Sequence, residues 1–163
     1  MPFKPPEVQP VRPPTLILGW GNLSRGDDAL GPLFLAGLRT QLPADLLRDV
    51  EFLEDYQLQV EHALDLVGRQ RVLLVDACLN CAAPFDARSV QARRDTSYTS
   101  HALSPEALLQ VFEDTTGTAP APATLLAIRG EAFGLGEPMS AAAQSHLAAA
   151  LAWGLDWLAA KDM

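Results

Sequence analysis

The chain has 163 residues, 48% of them hydrophobic and 20% charged, which is typical of one globular domain and excludes a disordered chain. Lys and Arg number twelve and Asp and Glu twenty, so the net charge of −8 argues against a nucleic-acid partner. Two cysteines cannot form a disulfide framework, and the sequence shows neither a signal-peptide core nor an apolar run of membrane-spanning length. We therefore expect a cytoplasmic protein without membrane attachment.

The thirteen prolines are unevenly distributed, because six of them fall within residues 1–14. Such a segment offers few side chains to a core and has neither a helical nor a strand period. We predict a flexible, Pro-rich tail over residues 1–14 and a single folded domain over residues 15–163.

Strand and helix patterns alternate after the tail. Apolar or alternating runs predict strands at residues 15–19, 50–54, 71–76 and 124–128, and a weaker strand near residues 88–92. Apolar residues at helical spacing predict helices over residues 28–42, around Val60, Leu64 and Val67, from the N-cap Ser104 onward, and over residues 140–160. This order predicts an α/β fold: a single three-layer domain in which a mostly parallel, twisted sheet of about five strands has helices on both faces.

Three polar side chains are expected at one edge of this sheet. Asp28 follows the first strand, Asp76 closes the third strand, and His101 precedes a predicted helix. Ligands of parallel sheets bind outside the carboxyl ends of the strands, where these residues would meet. Two carboxylates and an imidazole can hold a divalent cation with open positions, and Zn, Ni and Mn are all compatible with these donors. The other histidines, His62 and His146, fall within predicted helices without an acidic partner expected at this edge, so we interpret them as ordinary helix residues.

Each candidate ligand also has a structural interpretation when taken alone. Acids at a helix N-terminus interact favourably with the helix dipole, and we expect Asp27 to be the N-cap and Asp28 to project into the crevice. Asp76 could cap the next turn, and His101 could be a loop residue at the surface. The metal-site hypothesis depends on their convergence at one edge.

The turn after the first strand, Gly19-Trp20-Gly21, invites comparison with dinucleotide-binding turns. The third glycine of that fingerprint would fall at Ser24, and Asp27 and Asp28 occupy the place that a pyrophosphate would need. The sequence therefore argues against nucleotide binding.

Cys78 and Cys81 form the main competing site. A C-x-x-C pair after a strand is typical of redox proteins when a helix follows it, whereas Pro84 and its neighbours do not resemble a helix start. A structural zinc site would need about two further ligands at matching spacing, which the sequence lacks. We interpret the pair as buried or half-buried structural thiols, and their closeness to Asp76 leaves a role with a soft metal open.

Four motifs in this order resemble the maturation endopeptidases of nickel–iron hydrogenases, over residues 16–158. They are a glycine turn with an acidic pair, an aspartate that ends the third strand, a histidine before a helix, and a closing stretch. In this chain they read Gly19-Trp20-Gly21-Asn22 with Asp27-Asp28-Ala29-Leu30-Gly31, Val75-Asp76-Ala77, Ser100-His101, and Ile128-Arg129-Gly130-Glu131 with Gly136 and Ser140.

The resemblance implies an enzyme built as a twisted sheet between helices. Members of this family are metal-dependent endopeptidases that remove a short C-terminal extension from the hydrogenase large-subunit precursor after nickel insertion. Carried over by motif, Asp28, Asp76 and His101 are the metal-binding and catalytic residues. The metal is the precursor's own nickel, read as the signal that its active site is loaded, and Zn or Cd could replace it in vitro. The expected partner is the precursor, and we expect the protein itself to be a monomer.

The resemblance also points to substrate contacts. We expect Gly21, Asn22 and Asp27 to bind substrate, and Asp27 is the nearest candidate for a general base. Many relatives have an acid-Gly-Gly-Thr turn after strand two, whereas this chain reads Glu-Asp-Tyr-Gln-Leu-Gln there, which resembles the subgroup that serves bidirectional, NAD(P)-linked hydrogenases. Gln57 and Glu61 are then candidates for substrate recognition.

Two other functions remain open. A nickel-binding maturation chaperone or sensor would use the same three ligands and leave the length of the precursor unchanged. A redox protein would depend on Cys78 and Cys81 instead of Asp28. The sequence contains neither a G-x-S-x-G nor an H-E-x-x-H motif, which excludes those two kinds of hydrolase site.

Overall fold

A computed structural model describes residues 11–94 and 103–160. Its strands are β1 (Thr15–Trp20), β2 (Val50–Asp55), β3 (Arg71–Cys78), β4 (Phe85–Val90) and β5 (Ala123–Arg129). Its helices are α1 (Leu30–Gln41), α2 (Ala44–Leu47), α3 (His62–Asp65), α4 (Pro105–Thr116) and α5 (Ala141–Ala159), and a 3-10 turn (Gly26–Ala29) precedes α1. Each predicted strand and helix has a counterpart, although α3 is a single turn.

The five strands form one sheet in the order β2-β1-β3-β5-β4. β1, β2, β3 and β5 are parallel, and β4 is antiparallel to β5. β4 runs the other way because only residues 79–84 separate it from β3, whereas a parallel crossover needs roughly a dozen residues or more. The parallel strands end together at what we call the carboxyl edge, and the predicted, mostly parallel α/β sheet is confirmed.

Helices cover both faces of the sheet and make three layers. Leu16 and Leu18 of β1 pack in one cluster with α4 and the α3 segment, whereas Ile17 packs in a second cluster with α1 and α5. This alternation follows the period of a strand, and every residue of β1 is buried because helices lie on both sides of it. The ends of β1 and β3 therefore lie in the interior of the carboxyl edge, between neighbouring strands.

Serine N-caps define the starts of α4 and α5. Ser104 Oγ accepts from Ala107 N, and Ser140 Oγ accepts from Ala143 N, both at 3.1 Å. The predicted start at Ser104 is therefore confirmed. No helix in the described ranges combines the length and the apolarity needed to span a bilayer.

The predicted apolar face of the second helix is wrong. The structure has one turn there, and Val60, Leu64 and Val67 are exposed, whereas Leu66 is buried. The helical segment is too short for a period of 3.6 residues to select one face, and Gly68, with φ +80°, follows it.

The end of the predicted tail contacts the domain. Residues 1–10 lie outside the described residues. Pro14 O accepts from Gln70 N at 2.7 Å and from Arg71 N at 3.2 Å, and Arg12 Nη1 donates to Leu64 O at 2.7 Å. The described residues before β1 therefore lie along the connection between α3 and β3.

Candidate functional site

Asp28 and Asp76 lie near each other at the carboxyl edge. Asp28 belongs to the 3-10 turn that follows β1, and Asp76 lies near the end of β3, which pairs directly with β1. The carboxylates are close enough that the charge of Asp28 raises the pKa of Asp76. The structure therefore brings together two of the three predicted metal ligands.

The glycine turn holds Asp28 in place. The backbone N–H of Asn22 donates to Asp28 Oδ2 at 2.7 Å, and the Asn22 side chain accepts from Ser24 N at 2.8 Å. Gly21 has φ +152°, and a Cβ at this position would lie 1.9 Å from the backbone oxygen of Asp28. A side chain at position 21 would therefore displace Asp28, which explains on structural grounds why this position is a glycine. The predicted role of Gly21 and Asn22 in substrate binding stays a prediction.

The pKa of Asp76 is raised to about 7. Burial is the main cause and the charge of Asp28 adds to it, while hydrogen bonds from Ala77 N–H and the Trp20 indole act in the opposite direction. Among the described residues, neither Asp28 nor Asp76 has an ion-pair partner. Two nearby carboxylates that have no ion-pair partner in the described part of the chain form a site that a cation would stabilise, which is compatible with the predicted divalent metal.

The third predicted ligand, His101, lies outside the described residues. In the sequence it precedes α4, which begins at Pro105. Within residues 11–94 and 103–160, no group of three His, Cys, Asp or Glu side chains could hold a metal ion. The three-ligand site therefore stays a prediction, and its described donors are the two carboxylates.

Asp27 is fully buried and binds the loop between β5 and α5. Its carboxylate accepts from Glu131 N (2.7 Å), Ala132 N (2.9 Å), Ser140 N (2.8 Å) and Ser140 Oγ (2.7 Å). Burial alone would raise the pKa of Asp27, but these hydrogen bonds stabilise the charged form and lower the pKa below its usual value. The expectation that Asp27 caps the helix is wrong, because its side chain binds this loop instead. A substrate contact or a general-base role, both still predictions, would require these bonds to open.

His62 and Asp55 form a pair that the sequence interpretation missed. His62 is buried, its Nε2 lies 3.2 Å from Asp55 Oδ2, and its Nδ1 accepts from Gln59 N at 2.8 Å. His62 lies in a helix as predicted, as the first residue of α3, but the interpretation that it has no acidic partner is wrong. Asp55 O also accepts from Gly21 N at 3.0 Å, so the pair connects the loop after β2 to the glycine turn. No local sequence signal reveals it, because the loop must fold back before the two side chains meet.

The loop after β2 borders a small cavity at the carboxyl edge. The cavity has a volume of about 220 Å³, and its lining residues are Gly21, Leu23, Pro32, Glu54, Asp55 and Tyr56. Gln57 and Glu61 are exposed on the same loop. Their predicted role in substrate recognition stays a prediction.

Cys78 and Cys81 are half-buried at and just beyond the end of β3. Cys81 Sγ lies 3.6 Å from Cys78 O and 3.7 Å from Ala127 O. Burial, together with the neighbouring Cys78 thiol, raises the pKa of Cys81 to about 12, so this thiol stays protonated at neutral pH. A protonated thiol is a poor nucleophile and a poor metal ligand, which favours the structural interpretation over a redox pair.

The fold is shared with solved structures, although the sequence matches no protein-family model and no curated protein. A crystal structure of the NiFe hydrogenase maturation protease HycI from Thermococcus kodakarensis KOD1 is similar over 91% of this chain and 92% of that one, with 20% identity and a TM-score of 0.68. The hydrogenase maturating endopeptidase HybD from E. coli is similar over 88% and 91%, with 22% identity and a TM-score of 0.68. The chain has the fold of the hydrogenase maturation proteases.

A third structure with this fold is the hydrogenase 2 maturation peptidase from a Thaumarchaeota archaeon. It is similar over 90% of this chain and 99% of that one, with 20% identity and a TM-score of 0.62. The predicted resemblance to hydrogenase maturation proteases is thus confirmed at the level of the fold. Identities of 20–22% leave the activity and the hydrogenase subgroup as proposals.

Asp27→Asn should destabilise the protein by roughly 2–4 kcal/mol, because an amide turns an N–H group toward donors that require an acceptor. The lowered pKa of Asp27 means that its stabilising contribution is present above about pH 4 and is lost as the pH falls further. Urea denaturation at about pH 7 and about pH 3 should show a smaller difference between wild type and variant at the lower pH. Asp86→Asn, an exposed change on β4, is the control. Equal stability of Asp27→Asn and wild type at neutral pH would contradict the structural role.

Asp76→Asn should stabilise the metal-free protein at neutral and alkaline pH. The pKa of about 7 exceeds the usual value of an aspartate, so the folded protein keeps a proton that the unfolded chain releases. Wild-type stability therefore falls as the pH rises from about 4 to about 7 and stays lower above that range. Urea denaturation at about pH 8 should show a gain of roughly 1–3 kcal/mol, with little change at about pH 4. Asp45→Asn, exposed on α2, is the control, and a less stable Asp76→Asn at pH 8 would contradict the raised pKa.

His62→Ala should loosen the loop after β2. The change leaves Gln59 N–H without its acceptor and removes the contact with Asp55, a loss of roughly 1–2 kcal/mol. Backbone amides of residues 56–61 should then exchange hydrogen faster. His146→Ala, whose ring lies 2.9 Å from Arg129 O, is the control and should leave these amides unchanged. Wild-type exchange rates in His62→Ala would show that the pair does not hold the loop.

Proposed function

We propose that this protein is an endopeptidase that removes the C-terminal extension of a nickel–iron hydrogenase large-subunit precursor after nickel insertion. The main support is the pair of nearby carboxylates, Asp28 and Asp76, at the carboxyl edge of a fold shared with hydrogenase maturation proteases. This edge is where ligands of parallel sheets bind. The nickel ion belongs to the substrate and signals that the precursor is ready for cleavage.

We assign the binding of that nickel to Asp28, Asp76 and His101. Asn22 N–H holds Asp28 and the Trp20 indole holds Asp76, so both carboxylates are oriented before the substrate arrives. A carboxylate must be ionised to bind a metal ion, so protonation of Asp76 competes with binding. With a pKa of about 7, Asp76 loses its metal-binding form in mildly acidic solution. Zn or Cd could occupy the same ligands in vitro.

A divalent ion at these ligands supplies a polarised carbonyl group and a more acidic water, the two requirements of peptide hydrolysis. The contribution of the chain itself is to hold the scissile segment. We propose that Gly21 and Asn22 contact this segment at the turn and that Gln57 contacts it from the loop after β2. Asp27 has a lowered pKa and four internal hydrogen bonds, so we assign it to positioning the turn of Asp28 instead of accepting a proton.

The proposed partner is the precursor polypeptide, bound by a cytoplasmic monomer. The segment after β2 reads Glu-Asp-Tyr-Gln-Leu-Gln in place of an acid-Gly-Gly-Thr turn. On this basis we propose that the substrate belongs to a bidirectional, NAD(P)-linked hydrogenase.

A nickel-binding chaperone or sensor is the second candidate, because the same carboxylates would serve it. It differs in leaving the precursor at full length. A redox function of Cys78 and Cys81 is less well supported, because the raised pKa of Cys81 keeps its thiol protonated at neutral pH.

Asp28→Asn and His101→Ala should each slow the shortening of nickel-loaded precursor by at least about 100-fold, since loss of a residue that only supports a metal ligand already reduces affinity or activity about 10–100-fold. Mass spectrometry of the precursor after incubation measures the shortening. Cys78→Ser removes no predicted ligand, so it is the control and should process the precursor at the wild-type rate.

The possible outcomes separate the three functions. Unchanged processing by His101→Ala would remove that residue from the site. A precursor that binds the wild-type protein and keeps its full length would support the chaperone. Loss of function in Cys78→Ser, together with normal function in Asp28→Asn, would support the redox protein.

A further inference from the structure

Large apolar side chains are exposed on the loops of the carboxyl edge. Leu23, Tyr56, Leu79 and Leu135 are 60%, 75%, 53% and 69% exposed, and each lies on a different loop at the carboxyl edge. These loops follow β1, β2, β3 and β5, respectively. Every parallel strand is thus followed by a loop with an exposed apolar side chain at the edge that carries the two carboxylates.

The loops that carry these side chains follow four strands that are neighbours in the sheet, in the order β2-β1-β3-β5. We call the four side chains the apolar rim; its members are Leu23, Tyr56, Leu79 and Leu135. Leu23 and Tyr56 line the same cavity, and its lining also includes the acidic residues Glu54 and Asp55. The cavity therefore has an apolar part and an acidic part.

Hydrogen bonds join the loops that carry the rim. Gly136 N, in the loop after β5, donates to Ser24 O in the loop after β1 at 2.7 Å. Gly130 N, at the start of the loop after β5, donates to Cys78 O at the end of β3 at 2.9 Å. Loops that are bonded to one another present their side chains in a fixed arrangement, which lowers the entropy lost when a partner binds.

Large apolar side chains that are exposed as a group mark a site where another protein surface binds, because covering them removes apolar area from water. Four carboxyl groups lie at the same edge, on Asp28, Asp76, Glu54 and Asp55, and the last of these pairs with His62. A partner with a positive charge near Asp28, Asp76 and Glu54, and with apolar residues around it, is therefore complementary to this edge. A polypeptide that carries a bound divalent cation has that chemistry. We propose that the apolar rim is the docking surface for the folded, metal-loaded region of the precursor. This inference rests on the proposed function and adds the surface through which the substrate is recognised.

A second exposed apolar group provides a matched control away from the carboxyl edge. Leu64 on α3 is 62% exposed, close to the value for Leu23, and it lines a groove with Val111 and Phe112 of α4. Replacing Leu by Ser removes the same side chain at either position. A difference between the two variants therefore reports where the partner docks.

The test measures binding and turnover separately. The rim variants are Leu23→Ser, Leu135→Ser and the double variant, and the controls are the wild-type protein and Leu64→Ser. For each protein we would measure the Kd toward immobilised, nickel-loaded precursor and the KM and kcat of precursor shortening. We expect each single rim variant to raise Kd and KM about 3–10-fold and the double variant at least about 10-fold, with kcat within about twofold. Leu64→Ser should keep Kd and KM within about twofold of wild type. Thermal melting confirms that every variant is folded.

Each result bears on the rim or on the activity. Wild-type Kd and KM in the double variant, or an equal loss in Leu64→Ser, would overturn the rim and leave the endopeptidase function intact. Rim-dependent binding of a precursor that is never shortened would retain the rim and remove the endopeptidase function. No binding of the loaded precursor to the wild-type protein would overturn both.

Discussion

The proximity of two carboxyl groups, Asp28 and Asp76, is the constraint on which the rest of the site depends. Burial is the main cause that raises the pKa of Asp76 to about 7, and repulsion from the charge of Asp28 adds to it. A divalent cation between them would turn the repulsion into attraction. If the proposed function holds, the feature that destabilises the metal-free protein is the one that binds the metal-loaded substrate, and stability and function then oppose each other at Asp76.

Such a pair persists only if the surrounding backbone cannot move apart. The absence of a side chain at Gly21 lets the glycine turn pass close to Asp28, and the buried carboxylate of Asp27 ties the same turn to the loop after β5. The pair of His62 and Asp55 connects the loop after β2 to that turn. Three loops at the carboxyl edge are thereby joined, and the exposed apolar side chains that they carry become parts of one surface.

The sequence alone determined the order of strands and helices, the Ser104 N-cap, and the placement of Asp28 and Asp76 at one edge. These features follow from local rules: the period of apolar residues, the hydrogen bond of an N-cap, and the common direction of parallel strands. The likeness to hydrogenase maturation proteases was recognisable from the same residues, because the motif of the glycine turn and acidic pair is contiguous in the chain. His101 was proposed from its motif and lies outside the described residues.

Only the tertiary structure decided which partners the buried polar groups have. Asp27 binds Ser140, 113 positions away, and no spacing rule connects two residues across that distance. The buried face of α3 was mispredicted because a single helical turn is too short to show a period of apolar residues. His62 contacts Asp55 only because the loop that follows β2 folds back. The sequence determined the features that depend on neighbouring residues in the chain. The fold decided the hydrogen-bond partners of the buried polar groups, because a buried charge needs donors and packing brings those donors from distant parts of the chain.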